Sequence, residues 1–202
     1  MKETVLIKDL IQAIKRIASQ GWCQATGGNF STRIDVKTFF MSRSGVDKQS
    51  ITERDFLILD IQGQVLEGVG KPSAETLLHA FIYEKCPETQ TILHTHSLPA
   101  TIISQLDKAQ SYVLINGFEM QKSLNGVTTH QIDIQLPIFE NQQDMQFMRE
   151  SLSQRWHQLT FNWGFLLSGH GLYVRGNSTA EALRHIEGLE FLLECELNLR
   201  KL

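Results

Sequence analysis

Apolar residues near the start of the chain recur at helical spacing. Leu6, Ile7, Leu10, Ile11, Ile14, Ile17 and Ala18 fall three or four apart, with Lys8, Asp9, Lys15 and Arg16 on the other face. This predicts an amphipathic helix that ends near Gly21. The period then changes. Ala25-Thr26-Gly27-Gly28 is a glycine turn leading into alternating residues over 29–34, a strand whose partner is 38–41. Thr52 is placed to cap a short helical turn, and 56–60 reads as a buried strand followed by a hairpin at Gly63. Ser73, just after Pro72, is the expected N-cap of a helix carrying Leu77, Leu78, Phe81 and Ile82, stopped near Cys86 by Pro87.

Residues 91–96 read as a strand, and Ser97 with Pro99 in the following turn opens another helix. Further extended stretches are expected at 112–115 and 126–134, then a polar amphipathic segment from 142 to about 157. Two strands, 165–167 and 172–174, flank the turn Ser168-Gly169-His170-Gly171. The last helix starts at Ser178 with Glu181 in capping-box position, and turns Leu183, Ile186, Leu189, Leu192 and Leu193 inward. Eight or nine strands and four longer helices, with hairpins outnumbering parallel crossovers, predict a three-layer α/β/α fold around a mixed, largely antiparallel sheet. No linker, internal repeat or low-complexity stretch interrupts residues 1–202, so one domain is expected.

Composition narrows the partners. The balance of 19 Lys+Arg against 22 Asp+Glu leaves a formal charge of -3, which excludes a broad basic surface and with it nucleic acid as the expected partner. No apolar run approaches the roughly 20 residues of a membrane helix, and no secretory leader is legible. The three cysteines, Cys23, Cys86 and Cys195, are odd in number and widely spaced. They suggest neither a disulfide framework nor a thiolate metal site, and reduced cytoplasm is the expected home.

The first chemical signal is His94-Thr95-His96. Alternate residues of a strand face the same way, so both imidazoles can hold one ion. A catalytic zinc takes three protein ligands and keeps a fourth position open for water or substrate. His170 is the candidate third ligand, because Gly169 and Gly171 let the backbone turn tightly and bring its ring to another strand end. The ordinary reading stands beside this one: an HxH pair arises by chance, and a histidine between glycines is a common turn residue. His79, His130, His157 and His185 have no partner at close spacing and read as structural.

Gly27-Gly28-Asn29-Phe30-Ser31, Ser44-Gly45, Pro72-Ser73-Ala74-Glu75, His94-Thr95-His96 and Ser168-Gly169-His170-Gly171 stand in an order that covers nearly the whole chain. Together they resemble the class II aldolase family of sugar-phosphate lyases and epimerases. The stretches 71–79, 118–122 and 137–141 look most like its dehydratase branch, which acts on a methylthio-bearing ketose phosphate of methionine salvage. The resemblance implies a class II aldolase-like fold and one catalytic zinc per subunit on His94, His96 and His170. It also implies a cytoplasmic homo-oligomer, commonly a tetramer, with active sites near subunit contacts. Phosphate positions follow at Asn29, Ser44, Gly45 and Ser73, with Gly28, Thr26 and Lys48 as weaker candidates. Glycine-rich turns expose amide hydrogens that cup an anion, so a slightly acidic protein can still hold phosphate. The family usually has a second serine before the glutamate; here Ala74 stands there and one hydroxyl contact is absent.

The implied reaction removes water. A base takes the proton beside the carbonyl, the hydroxyl on the next carbon leaves, and the enol becomes a diketone. Glu75 and Glu119 are the candidate proton-transfer groups. Glu75 is expected in a first helical turn behind Ser73, where helix amides and a nearby zinc lower its pKa. Glu119 lies between Phe118 and Met120, where burial is expected to raise its pKa and suit it to take a proton and return it to the leaving hydroxyl. Glu119 is therefore the expected acid/base and Glu75 an auxiliary ligand or acid. The bland alternatives are a helix-capping charge for Glu75 and a solvated loop charge for Glu119. Two rival functions share the scaffold: an aldolase or 4-epimerase, and a binding module without catalysis. Both glutamates and all three histidines are present, which favours an enzyme.

Overall fold

Side-chain alternation along the strands divides the apolar residues into two sets, and the helices form where each set must be covered. A computed structural model describes residues 2–156 and 163–201. Among these are nine strands: β1 (Asn29–Arg33), β2 (Thr38–Ser42), β3 (Phe56–Asp60), β4 (Val65–Glu67), β5 (Thr91–Thr95), β6 (Tyr112–Ile115), β7 (Ile134–Phe139), β8 (Gly164–Leu167) and β9 (Gly171–Gly176). The five helices are α1 (Lys2–Ser19), α2 (Thr76–Lys85), α3 (Leu98–Leu106), α4 (Met145–Arg155) and α5 (Thr179–Leu199). The strands form one sheet in the order β4-β3-β2-β1-β5-β9-β8-β7-β6, antiparallel throughout except for β7 with β8.

On β9, Leu172 and Val174 join one core with residues of α1, α3 and α5, while Tyr173 joins the other with residues of α2 and α4. Leu93 and Ile92 of β5 divide the same way, as do Leu166 and the pair Phe165 and Leu167 of β8. This period-two division makes the central sheet bear a core on each face, the three-layer α/β/α arrangement expected from the hairpin-rich pattern.

Most boundaries fall where turn and cap chemistry puts them. The Ser97 hydroxyl accepts the Ala100 N–H at the start of α3, and Ser178 accepts the Glu181 N–H at the start of α5. Thr52 opens a short 3-10 turn whose Asp55 carboxylate accepts its N–H and hydroxyl. Three expectations change. Ser73 is not the N-cap of α2: its hydroxyl accepts the Glu75 N–H at 3.3 Å in a preceding turn, and Glu75 itself takes the N-cap position. The stretch 126–134 is mainly irregular, and the strand runs over Ile134–Phe139 instead. Ile134, Leu136 and Ile138 supply its inward alternation, across Pro137, a residue that normally argues against an interior strand. Finally, the polar amphipathic segment expected from 142 to about 157 is a fifth helix, which starts at an Asp144 cap and runs over Met145–Arg155; His157 lies outside the described residues.

Where β5 meets β9, the backbones are too close for a side chain at Gly171. A Cβ there would sit 1.9 Å from the Thr95 carbonyl oxygen. Gly171→Ala is expected to destabilise the protein by roughly 1–3 kcal/mol through forced separation of these strands, read as a lowered melting temperature.

Candidate active site

His94 follows Ile92 on the α2-facing side of β5, and His96 keeps that side just past the strand end. The chain can place His170 beside them because the turn between β8 and β9 has Gly169 at φ +66°, a backbone state that suits glycine. The three Nε2 atoms converge: His94 to His96 is 2.9 Å, His96 to His170 is 3.0 Å and His94 to His170 is 3.4 Å. Glu75, at the head of α2, brings its carboxylate to 3.5 Å from His94 Nε2 and 3.3 Å from His170 Nε2. One ligand atom from each of the four residues lies within 4.8 Å of all the others.

The surroundings hold these rings at a fixed angle. His94 Nδ1–H donates to the Leu172 carbonyl at 3.0 Å, which leaves the Nε2 lone pair facing the cluster, and the ring stacks on Tyr173 with centroids 3.9 Å apart. The His96 N–H donates to the Trp22 carbonyl at 2.8 Å, and a Cβ on Gly27 would lie 2.8 Å from His96 Nδ1, so a glycine is needed there. Beneath the histidines, the hydroxyls of Thr95 and Ser97 both donate to Glu190 of α5. Burial lowers the pKa of His94, and burial with His170 and Lys48 brings His96 down to about 4, so both rings are neutral near pH 7. Neutral imidazole lone pairs and a carboxylate aimed at one point form a donor set for a divalent cation of zinc type. The residues therefore fit the metal implied by the sequence pattern.

A cleft of about 260 Å³ opens beside the cluster, lined by Thr26, Gly28, Asn29, Ser44, Gly45 and Ser73 together with Glu75, His96 and His170. The predicted phosphate positions thus share one cavity with the metal-type site. Lys48 does not line it. Its fully buried ammonium donates to the carbonyls of Thr26 at 2.9 Å and Val46 at 2.8 Å, and so braces the turn in which Ala25 and Thr26 adopt positive φ. The cation that does line the cleft is Arg43, which also pairs with Asp55. Sequence reading passed over it because one arginine beside a serine forms no pattern. Asn141, Gln142, Gln143 and Met145 also line the cleft and, as common polar and apolar residues, form no pattern either.

Glu119 departs from its expected setting. It begins a 3-10 turn at 119–123, its side chain is 67% exposed, and it pairs with Lys122 and, at 3.2 Å, with His130. The Lys122 hydrogen bond is the main cause that lowers its pKa, where burial had been expected to raise it. Phe118 turns toward the core but Met120 is exposed, so the apolar flanks do not enclose the carboxylate. Glu119 is also absent from the lining of this chain's cleft. His185 is structural as expected, its Nε2 accepting the Asn125 N–H and its Nδ1 donating to the Arg175 carbonyl.

Two measurements probe this arrangement. Metal-stripped protein titrated with a divalent cation of zinc type is expected to bind one ion per chain, and His170→Ala to lose most of that affinity, by calorimetry with elemental analysis. Burial raises the Glu190 pKa to about 7, against the lowering effect of the Ser97 and Thr95 hydroxyls. The folded state therefore keeps this proton to higher pH than the unfolded chain. Its stabilising contribution is full below about 4.5 and is lost as pH rises through about 7. Glu190→Gln is expected to flatten the melting temperature over that window.

Comparison with known proteins supports the same architecture. The family model for the class II aldolase and adducin N-terminal domain matches residues 8–197. The chain is 44% identical to methylthioribulose-1-phosphate dehydratase of Serratia proteamaculans over all of this chain and 98% of that protein. It is 45% identical to the Enterobacter sp. protein of the same name, again over all of this chain and 98% of the relative. Among solved structures it resembles YgbL of Klebsiella pneumoniae, described as a putative aldolase/epimerase/decarboxylase. The TM-score is 0.83 at 23% identity, over 98% of this chain and 91% of that one. On the family match and these full-length likenesses, the chain belongs to the class II aldolase and adducin N-terminal domain family.

Proposed function

We propose that this chain is a zinc-dependent hydro-lyase of methionine salvage that converts 5-methylthioribulose 1-phosphate to 2,3-diketo-5-methylthiopentyl 1-phosphate and water. The observation that carries this reading is identity of 44–45% over the full length to dehydratases of that substrate, in a chain with a histidine–glutamate cluster beside a polar cleft. His94, His96 and His170 would hold the zinc, with Glu75 in reach as an auxiliary ligand. Bound there, the cation supplies positive charge that polarises the substrate carbonyl and offsets negative charge on its oxygen as the neighbouring carbon loses its proton.

The chain's own residues do the rest. The amides of the Gly28 and Gly45 turns, the side chains of Asn29, Ser44 and Ser73, and the Arg43 guanidinium, all on the wall of the cleft, would take the phosphate end. A carboxylate removes the proton beside the carbonyl. The same proton returns to the hydroxyl leaving the next carbon, so one water is lost and the enol settles to the diketone. Glu119 is our assignment for this acid/base. Because it stands outside its own cleft, the assignment requires a second chain to deliver it, in keeping with a homo-oligomer, commonly a tetramer in this family. A cytoplasmic location accords with the free cysteines.

Incubation of metal-loaded protein with 5-methylthioribulose 1-phosphate is expected to yield the diketone; cleavage fragments such as glycolaldehyde would assign it to the aldolases instead. Glu119→Gln is expected to lower turnover by roughly 10²–10⁴-fold with metal content unchanged. Mixing inactive Glu119→Gln chains with inactive His94→Ala chains is expected to restore part of the activity if the carboxylate crosses between subunits. Near-normal turnover in Glu119→Gln returns the role to Glu75.

A further inference from the structure

α2 and β1 meet in a ladder of polar side chains that starts at the cluster and runs into the core. Glu75, His79 and Tyr83 are spaced four apart along α2, and Asn29 and Ser31 are alternate residues of β1, so one helix face lies across one strand face. The rungs interleave. Asn29 Nδ2 donates to the Glu75 carboxylate, and His79 Nε2 lies 2.5 Å from Asn29 Oδ1. Ser31 Oγ is 2.7 Å from His79 Nδ1 and 2.8 Å from the Tyr83 hydroxyl. Asn29, Ser31, His79 and Tyr83 are all buried.

Proton counting gives the ladder a direction. An amide oxygen only accepts, so His79 Nε2 must carry the proton that meets Asn29 Oδ1. Burial brings the His79 pKa down to about 3, so the ring is neutral and has no second proton. Its Nδ1 therefore accepts from the Ser31 hydroxyl, and Ser31, its one hydrogen spent, accepts from the Tyr83 hydroxyl at 2.8 Å, the shorter of that hydroxyl's two contacts, the other being the Gln90 carbonyl at 3.4 Å. Every donor points toward Glu75: Tyr83 to Ser31, Ser31 to His79, His79 to Asn29 and Asn29 to the carboxylate. With the amide reversed, Oδ1 would face the acceptor-only carboxylate, a repulsive contact in a buried place whichever tautomer the ring takes.

We propose that His79 is a positioning residue: its Nε2–H fixes the Asn29 amide with NH₂ toward Glu75 and the cleft, and thereby orients the Glu75 carboxylate beside the histidine cluster. The inference deepens the proposed function and rests on its assignment of Asn29 and Glu75 to the site. A Gln side chain can place an N–H near the Nε2 position and a Phe side chain cannot, which separates positioning from packing.

The test has two readouts. Imidazole ¹⁵N spectra of the full-length protein, with the His79 signals assigned by their loss in His79→Gln, are expected to show a neutral Nε2-protonated ring throughout the neutral pH range. In turnover assays His79→Phe is expected to lose about 10–100-fold in kcat, while His79→Gln recovers most of that loss. An Nδ1-protonated or cationic ring overturns the proposal, as does equal loss in both variants. If His79→Phe does not fold, the spectrum of the unaltered protein still decides. If the unaltered protein fails to dehydrate the substrate, the proposed function falls and the ring tautomer continues to report on the positioning claim alone.

Discussion

Three imidazole lone pairs and a carboxylate aimed at one point repel one another unless positive charge sits between them. This constraint organises the protein. The four groups come from the end of β5, the turn between β8 and β9, and the head of α2, so no single element can bring them together. The fold does so by closing the sheet tightly where those ends meet, with no room for a side chain at Gly27 or Gly171. Rigid neighbours then bear the repulsion: Leu172 and Tyr173 for His94, Trp22 for His96, and Asn29 for Glu75. Site residues held this way need little reorganisation when charge develops on a bound molecule.

The adjoining cleft follows a different economy of charge. Its wall combines glycine turns, short hydroxyl and amide side chains, and one arginine already engaged with Asp55. Backbone N–H groups in such turns can bind an anion without adding net charge, so a polar cleft of this kind is compatible with a formal charge of -3. Lys48, the other cation close by, is spent on bracing the turn from beneath. Arg43 is thus the one lysine or arginine on the cleft wall among the described residues.

Much of this was legible in the sequence because period carries geometry. The two-residue step of His94 and His96 could be read as a shared face, and glycines around His170 as a tight turn, from chain order alone. Ser97 and Ser178 announced their helices because a capping hydroxyl needs only a local amide. What escaped depends on orientation between distant segments. Apolar neighbours gave no measure of how far the turn at 119–123 projects, and Glu119 is solvated in spite of them. Glu75 takes the N-cap place that Ser73 was expected to hold because Ser73 is used one turn earlier. The β7 strand hid behind Pro137, and the cleft-facing Arg43 had no companion to mark it.

The two glutamates show why burial decides chemistry more than residue type does. Glu75 is enclosed, accepts from a buried amide whose own direction is set by His79, and stands within 3.5 Å of two imidazoles. Such a carboxylate is held in place by its neighbours. Glu119 has no such tie among the described residues: a lysine and a histidine at the surface share it, and the Lys122 hydrogen bond is the first cause that lowers its pKa. Only burial that also parted the carboxylate from Lys122 would raise its pKa, because desolvation and loss of that pairing then act in the same direction. The raised pKa expected from Phe118 and Met120 is wrong because Phe118 turns toward the core and Met120 lies exposed, so neither takes the carboxylate out of water.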